Sequence, residues 1–272
     1  MKALLVDGLN LVRRIYAAVP NNPEQRSAQD ADANSDVGHI NNVIRSACAS
    51  LHRALKKHNP SHCLAVFEQS GKNWRHKLFP DYKKDRSPMP AALHSAMADF
   101  ESAFSDLGVR TFSLPGHKAD DVIATLANKI ALRGGHVVIL STDRILCQLL
   151  NSWIRVYDHF ADHYLDSEMI KKKFQVKPEQ IPHLLALAGD SSLSITGIKS
   201  IGIRTASRLI NDHGNLEKVL ATADNMPGKL GSKLYSGKED ARLAYKLFTL
   251  KTDIELGVNL SQFRYSATTE SQ

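Results

Sequence analysis

The chain has 272 residues, 43% of them hydrophobic, enough for one large domain or two modest ones with their own cores. Its formal net charge is +7 and its pI near 9.2, a balance that favours a polyanionic partner, nucleic acid first. Three widely spaced cysteines with no CxxC pair exclude a disulfide framework and a zinc site, and no apolar run is long enough to span a membrane.

Ala3–Val6 is a short, wholly apolar run ending at Asp7 and Gly8, as in a buried parallel strand; no small-residue cleavage site follows it, which argues against a signal peptide. A helix is expected over Asn10–Ala18. Pro20–Gly38 is polar and nearly free of large apolar residues, and reads as a mobile surface loop. Ile40, Val43, Ile44, Ala47, Leu51 and Leu55 form a helical stripe within His39–Lys57. Cys63–Phe67 is a second buried strand, ending at Glu68.

Lys72–Arg86 holds six Lys/Arg and two Asp, with Trp74, Phe79 and Tyr82 interleaved. Such a run serves either as a solvated face or as a surface that neutralises phosphates and stacks on unpaired bases. Pro90–Leu107 is helical and Arg110–Leu114 a third strand. Ala119–Ile130 is a helix, Val137–Leu140 a fourth strand ending in Ser141, Thr142 and Asp143, and Arg144–Leu150 opens another helix. Ile154–Phe160 and His163–Leu165 close with a hairpin. Strands alternating with helices predict a parallel α/β sheet.

Beyond about Asp166 the pattern changes to short helices (Glu168–Phe174, Ile181–Ala188, Thr205–Asp212, Leu216–Leu220, Glu239–Leu250) joined by glycine-containing turns, a second, mainly helical domain. Tyr265–Gln272 is polar and expected to fray. The twelve histidines form no HExxH pattern and read as structural or surface groups, as do the thiols of Cys48, Cys63 and Cys147.

Asp7, Glu68 and Asp143 each follow the end of an apolar strand, while Asp120 and Asp121 open a helix. In a parallel sheet the strand carboxyl ends share one edge, where ligands bind. Singly, each acid would serve as a cap or turn former. Together they form a cluster whose mutual repulsion a divalent cation relieves. Such an ion can ready a water for attack on a phosphodiester. Near Gly197–Thr205, two glycines five apart precede a helix whose first N–H groups favour an anion, with Lys199 and Arg204 adding charge. A plain helix connection has the same look.

In order, VDGLNLVRR, VFEQSGKNWRHKLFPDYKKDRSPMP, GHKADDVIATLA, STDRILCQLL and LALAGDSSLSITGIKSIGIRTASRLI resemble the flap-endonuclease and 5′-nuclease superfamily over Lys2 to Glu255. The length is similar to its small stand-alone bacterial exonuclease IX type. The resemblance implies a PIN-like parallel-sheet nuclease domain over residues 1–166, with an arch at about 72–97 over the active site, where a 5′ single strand passes. A helical helix-hairpin-helix-type (H3TH) domain over 167–256 and a tail over 257–272 would follow. The activity implied is Mg²⁺-dependent cutting near the base of a 5′ flap, during replication or repair, by a cytoplasmic monomer without a nucleotide cofactor.

By the same resemblance one or two Mg²⁺ would be held by Asp7, Glu68, Asp120, Asp121, Asp143 and Asp190. Asp7, Glu68, Asp120 and Asp121 would be catalytic. A K⁺ would sit on the main-chain carbonyls of Leu187, Ala188, Thr196, Ile198 and Ile201. DNA would be gripped by Arg75, Tyr82, Lys83 and Arg86 and by the stretch Lys199, Ser200, Ile201, Gly202, Ile203, Arg204 and Thr205. The chain departs from the family pattern at Lys118, where Glu is usual, at Ile145 and Leu193, where Asp is usual, and at Thr196, where Pro is usual. Lys118 has three places open to it: paired with a carboxylate, swung to solvent, or on a DNA phosphate. A junction-binding protein weakened in cleavage is therefore the alternative. A PIN-type ribonuclease is a third, against which the hairpin domain argues.

Overall fold

The computed structural model describes residues 1–20 and 36–266. Among them six strands form one sheet: β1 (Lys2–Asp7), β2 (His62–Val66), β3 (Arg110–Phe112), β4 (His136–Leu140), β5 (Ile154–Asp158) and β6 (His163–Leu165), in the order β3-β2-β1-β4-β5-β6. All neighbours are parallel except β5 and β6, which close the edge as an antiparallel hairpin. Apart from Asp7 at the end of β1, the central strands β1, β2 and β4 are apolar at their buried positions because helices cover both faces.

Those helices are α1 (Gly8–Ala18), α2 (Asp36–His58), α3 (Trp74–Leu78), α4 (Ala91–Ser95), α5 (Met97–Asp106) and α6 (Ala119–Ala131). Leu4, Val6, Ala65 and Leu140 point toward α1, α2 and α5, meeting Val12, Val43, Leu51 and Phe100. The alternate residues Ala3, Leu5, Leu64, Val66 and Ile139 meet Val122, Ile123, Leu126 and Ile130 of α6. The chain leaves β1 and enters β4 by opposite faces, so a crevice opens where their carboxyl ends lie side by side. The register pairs Val6 with Leu140, which brings Asp7 beside Ser141.

The helical part comprises α7 (Ser167–Phe174), α8 (Ile181–Ala188), α9 (Ile203–His213), α10 (Leu216–Ala221), α11 (Gly228–Ser236) and α12 (Lys238–Phe248). Its core gathers Leu184, Leu187, Leu209, Val219, Leu234, Leu247 and Phe248. Ile170 and Ile181 pack into the core beneath α6 instead, so the two parts interlock.

Several elements differ from the sequence reading. Asp36–Gly38, expected in the loop, already belong to α2; residues 21–35 of that loop lie outside the described residues. Arg144–Leu149 is a 3-10 helix, because Asp143 caps it by accepting from the Ile145 N–H at 2.9 Å and tightens the first turn. The helix expected over Pro90–Leu107 breaks at Ala96. The glycine-rich stretch that forms α11 gave no helical signal. Tyr265, expected to fray, is anchored by its N–H to the Ser61 carbonyl at 3.0 Å, while Arg264 pairs with His62 and Phe263 is buried. Residues 267–272 lie outside the described residues.

Candidate active site

Two openings meet at the crevice. A cleft of about 1340 Å³ runs between the sheet edge, the basic segment and the helical part. On the other side of the basic segment lies a pocket of about 480 Å³, lined by Asp7, Asn10, Arg13, Arg14, Glu68, Lys83, Arg86 and Phe160. Lys118, Asp120 and Asp143 line both.

Asp7 ends β1 and caps α1, accepting from the Asn10 N–H at 3.2 Å and from Ser141 Oγ at 2.8 Å. Burial pushes its carboxyl up to about 6 against the pull of Ser141 and Lys118, with Asp143 adding repulsion. Ser141 Oγ also accepts from the Asp143 N–H at 3.1 Å, so one hydroxyl spaces the two acids. Asn10 and Thr142 clasp each other across the crevice, with Asn10 Nδ2 donating to Thr142 Oγ1 at 3.1 Å and the Thr142 N–H to Asn10 Oδ1 at 3.2 Å. Asn10, Ser141 and Thr142 were not singled out in the sequence, although Ser-Thr-Asp directly after a strand is the signal that marks them.

Asp120 is buried at the start of α6, and the Lys118 ammonium donates to its Oδ2. That settles the placement of Lys118: it is paired in the crevice. Lys83 reaches over the same pocket, 4.0 Å from Glu68 Oε1. Burial and the neighbouring Lys118 push its ammonium down to about 7, with Glu68 opposing. The acids therefore alternate with two ammonium groups. Among the described residues no three His, Cys, Asp or Glu side chains close in as a ready-made metal cage. Asp7, Glu68, Asp120 and Asp143 nonetheless present carboxylate oxygens to one pocket, the donor chemistry of a hard divalent cation. The set fits such an ion once Lys118 leaves Asp120.

Asp121 does not join them, contrary to expectation. It is fully buried and faces away, accepting from Arg75 Nη1 at 2.5 Å and Nη2 at 2.9 Å, Trp74 Nε1 at 2.9 Å and the Lys251 N–H at 3.1 Å. Burial alone would raise its carboxyl; the Arg75 pair and the other bonds outweigh it and hold the group low. The same contacts correct Arg75 as a phosphate ligand. Its guanidinium is buried, and its Nε donates to the Leu247 carbonyl at 2.8 Å, tying the basic segment to α12. Tyr82 is corrected too: its ring is buried in the helical core and offers no face to a base. Both residues look like DNA contacts in sequence because their neighbours are basic. Lys83 and Arg86 do face the pocket.

Asp190 lines the cleft but not the pocket, and its Oδ1 is taken by the Ser192 N–H at 2.9 Å and hydroxyl at 2.7 Å. Of the three positions where the resemblance would place an acid and this chain has none, two, Ile145 and Leu193, have become packing. Ile145 touches both the sheet core and the helical core, and Leu193 packs on the latter while its carbonyl accepts the Lys83 N–H at 2.9 Å. This last bond fastens the basic segment to the helical part.

The glycine turn that opens at Gly197 is built on close backbone contact. Gly189, at φ +76°, lies against Gly197; a Cβ on Gly189 would come within 2.5 Å of the Gly197 nitrogen. This brings the Leu187–Ala188 and Thr196–Ile198 carbonyls together. The Leu187 and Ile198 carbonyls accept the Ile198 N–H at 2.8 Å and the Ile201 N–H at 2.9 Å, each with a lone pair to spare for a cation. Gly202 caps α9 with no side-chain cap, and α9 has no acid in its first turn. Lys199, Ser200, Gly202, Ile203 and Arg204 are exposed around it, while Thr205 is half-buried. The Ile201 side chain is buried, which leaves only its backbone to a ligand.

A parallel sheet with an acid pocket at the central strand ends, joined to a helical part with an uncapped, basic helix start, defines a nuclease-type architecture. The chain belongs to the 5′-3′ exonuclease family: residues 2–175 match its N-terminal resolvase-like domain and 176–271 its C-terminal SAM fold. It is 40% identical to "Flap endonuclease Xni" of Photobacterium profundum over 266 residues, 97% of each chain. In fold it is similar to the zinc-bound T5 5′-exonuclease, with a TM-score of 0.75 at 20% identity, covering 93% of this chain and 90% of that one. It is likewise similar to the bacteriophage T5 flap endonuclease in a pseudo-enzyme-product complex with DNA and metal ions, with a TM-score of 0.72 at 21% identity, covering 91% and 89%. No helix among the described residues is long and apolar enough to cross a membrane.

Proposed function

We propose that the chain is a Mg²⁺-dependent flap endonuclease that hydrolyses a phosphodiester near the base of a 5′ single-stranded flap. The observation that carries this is the placement of Asp120, Asp143 and Lys118 on both the cleft and the pocket. A strand whose duplex lies in the cleft reaches those acids where it passes beneath the basic segment.

Asp7, Glu68, Asp120 and Asp143 would hold the divalent ion, with Asp121 left to its structural pair. When bound, such an ion lowers the pKa of a water and offsets charge on the leaving oxygen. The chain's own residues do the rest. Ser141 and Asn10 fix the orientation of Asp7 and of the loop carrying Asp143. Lys83 and Arg86 face the pocket and take the phosphates. Lys118, once off Asp120, would have a phosphate oxygen within the same pocket as its next partner. The α9 start and Arg204 take duplex phosphates without reading sequence, and the Leu187, Ala188, Thr196, Ile198 and Ile201 carbonyls would hold K⁺ beside them.

Lys118→Ala tests this reading. It frees Asp120, so half-maximal flap cleavage should need less Mg²⁺ than in the wild type. An unchanged Mg²⁺ requirement would show that Lys118 does not compete for the pocket. Tight flap binding without cutting in either protein would favour the junction-binding alternative.

A further inference from the structure

Phe160 is a large apolar side chain left 40% exposed. It stands at the tip of the β5–β6 hairpin, on the rim of the small pocket. The tip is held firmly. Asp158 Oδ1 accepts the N–H groups of Phe160 and Ala161, both at 3.0 Å. Ser50 Oγ and His159 Nε2 are 3.0 Å apart, and Lys57 donates to Asp162 at 2.7 Å. The backbone that carries the ring is thus held in place, and the ring lies outside any hydrophobic core, edge to face with the His159 ring at 5.8 Å. Its one close partner of opposite character is the Arg14 guanidinium, 5.1 Å from the ring centroid.

Arg13 and Arg86 line the same pocket, and among the described residues neither they nor Arg14 have a carboxylate within ion-pair distance. Arg13 is depressed by burial and then by Arg86, with Glu68 opposing from the same pocket, so the two guanidinium groups repel each other across it. A fixed aromatic face backed by a cation, beside two unpaired guanidinium groups, suits a nucleobase with its phosphates. A duplex shields its base faces by stacking and does not fit a pocket of about 480 Å³. Because Lys118, Asp120 and Asp143 are shared with the cleft, a strand leaving the acids on the far side of the basic segment arrives here.

We propose that Phe160, backed by Arg14, is a stacking platform for an unpaired base of the cleaved strand, with Arg13 and Arg86 on the adjoining phosphates. This rests on the flap-cleaving reading and adds where the single strand goes.

The test is binding in chelator, without divalent metal, of a fluorescein-labelled single-stranded oligodeoxynucleotide, a blunt duplex and a 5′ flap. Phe160→Ala should weaken single-strand and flap binding on the order of tenfold, the scale of one lost base–aromatic stack, and leave the duplex unchanged. Phe160→Trp should restore it. A 2-aminopurine at one flap position should lose its quenching in Phe160→Ala and regain it in Phe160→Trp. Equal weakening on all three DNAs, or none, overturns the platform, as does a single strand that the wild type fails to bind. Wild-type flap cleavage, measured separately, distinguishes the two failures: cutting that persists with no Phe160 effect sinks only the platform, whereas no cutting sinks the flap reading.

Discussion

Arg75→Ala should unfold the joint between the two parts of the molecule more than it disturbs DNA binding. The substitution removes the 2.5 and 2.9 Å bonds to Asp121 and the 2.8 Å bond to the Leu247 carbonyl. It strands a carboxylate with no solvent exposure, still held by Trp74 and the Lys251 N–H. Breaking a buried pair by deleting one partner costs roughly 3–5 kcal/mol. In a chain of this size each kcal/mol moves the melting midpoint by about 2–4 °C, so a loss on the order of 10 °C is expected. Arg75→Met with Asp121→Leu should recover most of it, because neither charge is then left alone. The pH dependence has a definite sign. Asp121 is held low in the folded state, so its contribution is present above the unfolded carboxylate value and lost as pH falls through the lower folded one. Arg75→Ala should lack that acid limb. Calorimetric melts from pH 3 to 7 read both effects. A melting point within about 2 °C of wild type, together with a loss of duplex affinity, would return Arg75 to the phosphate contacts and refute the reasoning.

Asp7 carries the opposite sign. Its pKa is raised to about 6, so the metal-free protein loses stability as pH rises from about 4 through 6. Asp7→Asn should therefore melt higher than wild type at pH 7 in chelator, and Mg²⁺ should stabilise the wild type more than the variant; equal melts in chelator would contradict the raised value. Arg204→Ala should weaken duplex binding alike for every base sequence and lower the salt slope by about one, measured by binding titrations across KCl concentrations. Gly197→Ala places a Cβ against Gly189 and the Leu187 carbonyl, and should cost about 1–3 kcal/mol while abolishing any K⁺ dependence of duplex binding.

The central strands β1, β2 and β4 were legible because they are short apolar runs with an acid within three residues of their ends, and their alternation with helices predicted that they run parallel. Asp7, Glu68, Asp120 and Asp143 could be placed on one edge for that reason. Asp121 could not be told from Asp120, since two adjacent helix-start acids point in different directions and only packing decides which meets the crevice. Arg75 and Tyr82 sit in a basic, aromatic run that reads as one surface; what buries them, Asp121 and Leu247 for Arg75 and the helical core for Tyr82, lies far along the chain. Lys118 was recognisable as a misplaced charge, but its choice among three placements required coordinates. Helix α11 was missed because its glycines argue against a helix, while packing of Gly231 against the Ala223 and Met226 carbonyls favours one.

The central claim is that the pocket around Asp120 cuts DNA at a junction. It is tested most directly by cleavage of an end-labelled 5′-flap DNA in Mg²⁺ by the wild type, Asp120→Ala and Asp121→Asn, with flap affinity measured alongside in chelator. The account predicts cutting near the junction by the wild type, its loss in Asp120→Ala with affinity kept, and its survival in folded Asp121→Asn. A wild type that binds the flap without cutting at any Mg²⁺ concentration, or an Asp120→Ala that cuts as well as wild type, would contradict it.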